Sequence, residues 1–165
     1  MQEATLSSLR AFPQQLQQFY EAVPAEYVHW TPASWEGIPS ETFTAIEQIC
    51  HVRDIEIDGY HVRFRRLLEL DRPELESIDG YQLAIERRYA EASASDVFQV
   101  IHRAREKTVA LLEGLDAHQW TRCGYFEGYG HVTVKSLAHY LCSHDQQHLA
   151  GIQWLLGQID SNNNQ

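Results

Sequence analysis

The chain has 165 residues, 44% of them apolar and 22% charged, with 13 basic against 23 acidic side chains and a net charge of −10. That profile describes one globular domain, excludes disorder for the chain as a whole, and contains no apolar run of the ~18 residues a membrane span needs. The negative charge disfavours phosphate backbones and anionic lipid surfaces as partners, so neither nucleic acid nor membrane is expected. The start Met1-Gln2-Glu3-Ala4 does not read as a secretory signal, and the expected compartment is the cytoplasm. Cys50, Cys123 and Cys142 include no CxxC pair, which implies neither a disulfide framework nor a zinc knuckle. Histidine is the unusual residue, with nine in the chain.

Four long helical patterns follow one another without a convincing strand. The first runs from about Thr5 to Val23, where Leu6, Leu9, Phe12, Leu16 and Phe19 recur at three- and four-residue steps, with a kink or a late start at Pro13. A loop rich in Pro and Trp comes next (Pro24, Trp30, Pro32, Trp35, Pro39), too aromatic for a free linker. Ser40 reads as the N-cap of a second helix, with Glu41 in its first turn, extending to about Leu70. Residues 71–92 read as one or two short helices around Asp79-Gly80. Ser95 caps a third helix along which Val97, Val100, Ile101, Ala104, Leu111, Leu112 and Leu115 form one stripe. Gly124, Gly128 and Gly130 mark a loop, and Thr133 caps a fourth helix to about Gly157. The economical architecture is an all-α four-helix bundle with long Trp/Pro-rich connecting loops, one domain over residues 1–160 and a disordered polar tail over 161–165.

The sharpest local feature is His144-Asp145-Gln146-Gln147-His148. Two histidines four apart project from one helix face, separated by roughly 6 Å of rise, the spacing by which one helix offers two imidazoles to one metal. Leu137, Leu141, Ile152 and Leu155 define the apolar stripe of this helix, and both histidines lie near its centre. A polar pair there needs a metal, or else hydrogen-bonding neighbours. A zincin protease is disfavoured, because that motif needs Glu directly after the first His and Asp145 stands there. A third ligand must come from elsewhere, and His29, His51, His61, His102, His118, His131 and His139 are the candidates. The second helix, which carries His51 and His61, is apolar on two sides: Ile46, Cys50, Ile57, Phe64 and Leu68 on one, Ile55 and Val62 with His51 on the other. Spacing alone leaves the third ligand open.

The segments IEQICHVRDIEIDGYHVRFRRLL and VTVKSLAHYLCSHDQQHLAGIQWLLG, with the Trp-containing loops before each, resemble the DinB-like superfamily of damage-inducible, metal-binding bundles, YfiT-like members included. The resemblance covers the chain from its first helix to Gly157. It implies a four-helix bundle in which His51, His144 and His148 bind one divalent metal, zinc or nickel. It also implies homodimers and, in some relatives, thiol S-transferase, thiol-dependent isomerase or hydrolase chemistry on a small molecule. Three neutral imidazoles leave coordination positions free, as catalytic zinc requires. The alternative function is a non-catalytic metal-binding or structural bundle.

No acid–base residue beyond the ligands is evident from spacing. Asp54, Asp58 and Asp145 read as solvated or salt-bridged groups, with a role in orienting the ligands as the alternative. Arg53 falls on the main stripe of the second helix and needs a partner, Glu86 or another acid, or else an anionic substrate group. Tyr140 reads as packing, with proton donation as the alternative.

Overall fold

The computed structural model describes residues 3–163. Helix α1 (Glu3–Glu21) buries Leu9, Phe12 and Leu16 and continues through Pro13, which is itself buried. The second long helix begins at α2 (Ala45–Asp54), passes through a π-helical segment (Ile55–His61) and continues as α3 (Val62–Glu69). Its N-cap is Thr44 in a capping box with Glu47, rather than Ser40. Glu41 therefore lies in the loop before the helix, a displacement that matters at the site. Short α4 (Gly80–Glu86) starts at Asp79, whose side chain accepts from the Gln82 N–H. Ser93, two residues before the expected cap, starts α5 (Ala94–Glu113) by accepting from the Asp96 N–H. After the short α6 (Ala117–Thr121), Thr133 accepts from the Ser136 N–H and leads into α7 (Val134–Asn163). The last helix thus extends beyond Gly157, and of the polar tail, residues 164–165 lie outside the described residues.

The structure adds a small sheet that the sequence reading lacks. Strand β1 (Glu74–Leu75) pairs in parallel with β2 (Cys123–Phe126), and β2 pairs antiparallel with β3 (Gly130–Thr133), Phe126 opposite Gly130. Strands of two and four residues are too short for alternation to register. The glycines read as a loop include the turn of this hairpin, where Gly128 and Gly130 adopt φ of +81° and +80°.

Helix α1 packs on α5 and α7, and α2 packs on the same two from the other side, giving a four-helix bundle. Short α4 and the 3-10 turn Tyr89–Glu91 also pack on α2, outside the four-helix core. Of the apolar residues on the second face of this long helix, Ile55 packs into the bundle core and Val62 is half-buried. The loop over 22–44 packs down as its composition suggests, with Trp35 stacked on Trp154 of α7 at 6.1 Å. Among the described residues no helix is long and apolar enough to cross a membrane.

The apolar interior falls into two clusters. One contains Phe12, Leu16, Ile49, Ile101, Leu149 and Ile152, and the other Leu9, Phe64, Leu67, Leu112, Leu137 and Leu141. Toward the middle of the second long helix, α5 and α7 lie buried polar side chains: His51, Glu56, Arg105, Asp145 and His148.

Candidate metal centre

His51 comes from α2 and the pair His144 and His148 from α7. One ring nitrogen of each lies within 4.8 Å of the others. The Nε2 atoms of His51 and His144 are 3.3 Å apart, and the ring centroids are 4.5–5.3 Å apart. Donors on a tetrahedral zinc, at 2.0–2.1 Å from it, lie about 3.3–3.4 Å from one another, so the cluster has the scale of a metal site. His51 and His148 are buried and His144 is half-buried. The other six histidines are engaged or placed elsewhere. His61 faces the Ala104 carbonyl and Thr108 hydroxyl, His102 faces Gln17 and His139 faces Thr5, while His29, His118 and His131 are exposed.

The His148 ring is held by a specific hydrogen bond. His148 Nδ1 donates to the Gln48 side-chain carbonyl at 2.5 Å, which leaves Nε2 as a lone pair aimed at the cluster. That Nε2 is buried and has no hydrogen-bond partner, and neither has His51 Nδ1. The orphaned His148 Nε2 faces the cluster, as a metal donor would, whereas His51 Nδ1 lies on the side of its ring toward Gly80. His51 is also pressed from outside by Gly80 at the start of α4, where a Cβ would lie 2.6 Å from the imidazole Cε1.

Burial pushes the His51 pKa down, with Glu41 and Asp54 pulling the other way. His144 and His148 are pushed well below the usual histidine value, first by burial and then by positive neighbours, which for His144 include His51, Arg105 and Arg63. All three imidazoles are therefore neutral at neutral pH, the form that ligates.

Two residues at the site escaped the sequence reading. Glu41, in the loop before α2, places Oε2 3.3 Å from His148 Nε2 and Oε1 3.7 Å from His51 Nε2. Gln48 donates from its amide to Ser40 Oγ at 2.8 Å and to the Glu41 and Phe43 carbonyls at 3.2 and 3.3 Å. One buried amide thus orients His148 and pins the loop that carries Glu41.

Asp145 turns away from the histidines into the bundle. Arg105 donates to Asp145 at 2.7 and 2.9 Å and to Glu56 at 2.9 and 3.0 Å, and Thr108 donates to Glu56 at 2.6 Å. The expectation of a solvated or salt-bridged Asp145 is thus met by a fully interior ion pair. Burial pushes its carboxyl up to about 7 against the pull of Arg105. Arg105 itself is raised, because the two carboxylates more than offset its burial. Glu56 enters this network from the π-helical segment, a distortion that often marks functional sites.

The other singled-out residues are structural. Arg53 pairs with Asp54 at 2.6 Å rather than with Glu86, and Asp54 also takes Arg87 at 3.0 Å and the Tyr89 hydroxyl at 2.8 Å. Asp58 pairs with Arg87 at 2.7 Å. Tyr140 packs against Tyr129, 4.7 Å between centroids. Tyr60, 6.1 Å from His144, walls the site and lies under the buried Arg63 guanidinium.

The sequence profile of the DinB superfamily matches residues 8–152. One solved structure, described as YfiT from Bacillus subtilis, a probable metal-dependent hydrolase with an unusual four-helix bundle topology, matches with a TM-score of 0.82. The two are 20% identical, over 97% of this chain and 90% of that one, a likeness that speaks to fold. No curated protein matches the chain.

Proposed function

The chain belongs to the DinB superfamily, and from that premise we propose that it is a metal-dependent hydrolase acting on a small molecule through a divalent ion held by His51, His144 and His148. One observation carries the reading: three buried or half-buried imidazoles from two helices converge at donor–donor spacing, with His148 Nε2 left as an unpartnered lone pair. The description of YfiT as a probable metal-dependent hydrolase supports the choice of reaction class. An all-imidazole donor set suits zinc or nickel. A cation held there would supply a Lewis acid that polarises a substrate oxygen and acidifies water or a thiol. The same chemistry would activate a thiol in an S-transferase.

The protein's own groups do the rest. Burial keeps the imidazoles neutral, the Gln48 carbonyl holds the His148 tautomer, and Gly80 leaves room for the His51 ring. A non-catalytic metal-binding bundle is the second reading. It is favoured by the depth of the donors, with His51 2% and His148 0% exposed.

The test is metal content of untagged protein, measured for the wild type and for H51A, H144A and H148A, with H61A, H102A and H139A as controls. The expected result is about one divalent ion per chain in the wild type and the controls, lost in each of the first three variants. Retention of full metal by H51A, H144A and H148A alike would make the cluster a packing feature and remove the basis of the enzyme reading.

A further inference from the structure

We propose that Glu41 is a fourth, loop-borne donor to the ion held by His51, His144 and His148, so that the resting centre is three imidazoles and one carboxylate. This rests on the three-histidine reading above and adds to it a residue carried by no helix.

Distance is the first argument. Glu41 Oε2 lies 3.3 Å from His148 Nε2, and Oε1 3.7 Å from His51 Nε2. The first distance equals the 3.3 Å between the Nε2 atoms of His51 and His144 and the roughly 3.3–3.4 Å expected between two donors on one tetrahedral zinc, and the second, made by the other oxygen, is a few tenths of an ångström longer. The second argument is independent and concerns the proton. Because His148 Nδ1 donates to Gln48, its Nε2 is the lone-pair nitrogen, and that atom is buried with no hydrogen-bond partner. A lone pair facing a carboxylate oxygen at 3.3 Å is a contact between two acceptors, which is unfavourable unless a cation sits between them.

The loop is built to hold the carboxylate there. Gln48 ties it through Ser40 Oγ and the Glu41 and Phe43 carbonyls, so the amide that orients His148 also sets the position of Glu41. Helix α7 closes against this knot at Gly151, where a Cβ would lie 2.4 Å from Ser40 Oγ. The Glu41 side chain is 35% exposed, against 0% for His148, so it is the donor on the solvent side. Glu41 would therefore be the donor that an incoming substrate group meets first.

Cobalt(II) titration of the full chain tests this through the visible absorption of the bound ion. Wild type, E41Q and E41A are compared, with folding checked by circular dichroism and azide added as a probe of the exchangeable position. The expected result is that both variants bind cobalt at least ~10-fold more weakly. Their absorption should fall as water replaces the carboxylate, and azide should perturb the spectrum at lower concentration than in the wild type. Cobalt bound by E41Q and E41A with wild-type affinity and spectrum would overturn the inference and leave the three-histidine site standing. Wild-type protein that takes up no cobalt would overturn both.

Discussion

At His51 the governing quantity is space. An alanine at position 80 would bring its Cβ within 2.6 and 2.8 Å of two imidazole atoms, so either the ring or α4 must move. Overpacking of this kind costs about 1–3 kcal/mol, and turning one donor away from the cluster weakens metal binding. G80A is expected to keep its fold, lose stability in that range and bind metal roughly 10-fold more weakly, as read by urea unfolding and metal titration. Unchanged metal affinity would mean that α4 yields and the ring does not. Arg105 poses the opposite problem, one of charge. It is 2% exposed and answers two buried carboxylates, so R105L strands both Glu56 and Asp145. Such a broken buried pair costs about 3–5 kcal/mol, which denaturant unfolding would register as a large drop in midpoint. The triple change R105L/E56Q/D145N should recover part of that loss, because it removes the orphaned charges as well.

At the scale of elements, what was legible in the sequence was whatever repeats at helical spacing. His144 and His148 advertise themselves by falling four apart in the middle of an apolar stripe, and the four long helices follow from the same periodicity. His51 does not stand out by spacing, because the second long helix looks apolar on two sides. The π-helical segment explains that appearance. The buried residues Val52, Glu56, Tyr60 and Phe64 recur every four positions, a spacing that drifts around a pure α-helix and stays on one side when a wider turn is inserted. Glu41 and Gln48 were illegible for a different reason: their roles depend on the path of a loop and on a helix that begins at Ala45. Asp145 reads as a solvated or salt-bridged group, and only the position of Arg105 on α5 makes its ion pair interior. The small sheet went unread because its strands are shorter than any pattern they could display.

At the scale of the whole molecule, the buried centre couples folding to pH. The unfolded chain protonates His51, His144 and His148 near pH 6.5, whereas burial lowers their folded values. Below that pH the unfolded state binds protons that the folded state refuses, so the stability of the metal-free protein, complete above 6.5, falls as the pH drops through and below it. Asp145 acts in the opposite sense. Its carboxyl, raised to about 7, takes up a proton in the folded protein while the unfolded one stays ionised down to about 4. Three groups oppose one, so the histidines set the sign of the net slope. The urea midpoint of metal-free protein should therefore fall between pH 7.5 and 5.5. A midpoint that rises instead would make Asp145 the controlling group.

The buried polar side chains in the middle of the bundle have a further consequence for how the chain is held closed. The cysteines are all free, so no covalent tie joins one end of the bundle to the other. An ion shared by His51 and His144 would join positions 93 residues apart. Loop-closure entropy grows only slowly with length, so a tie across so long a span restrains the chain about as effectively as any it could make. The centre would then serve as a removable staple: a cross-link that chelators release and acid weakens, set where the packing of the bundle is interrupted.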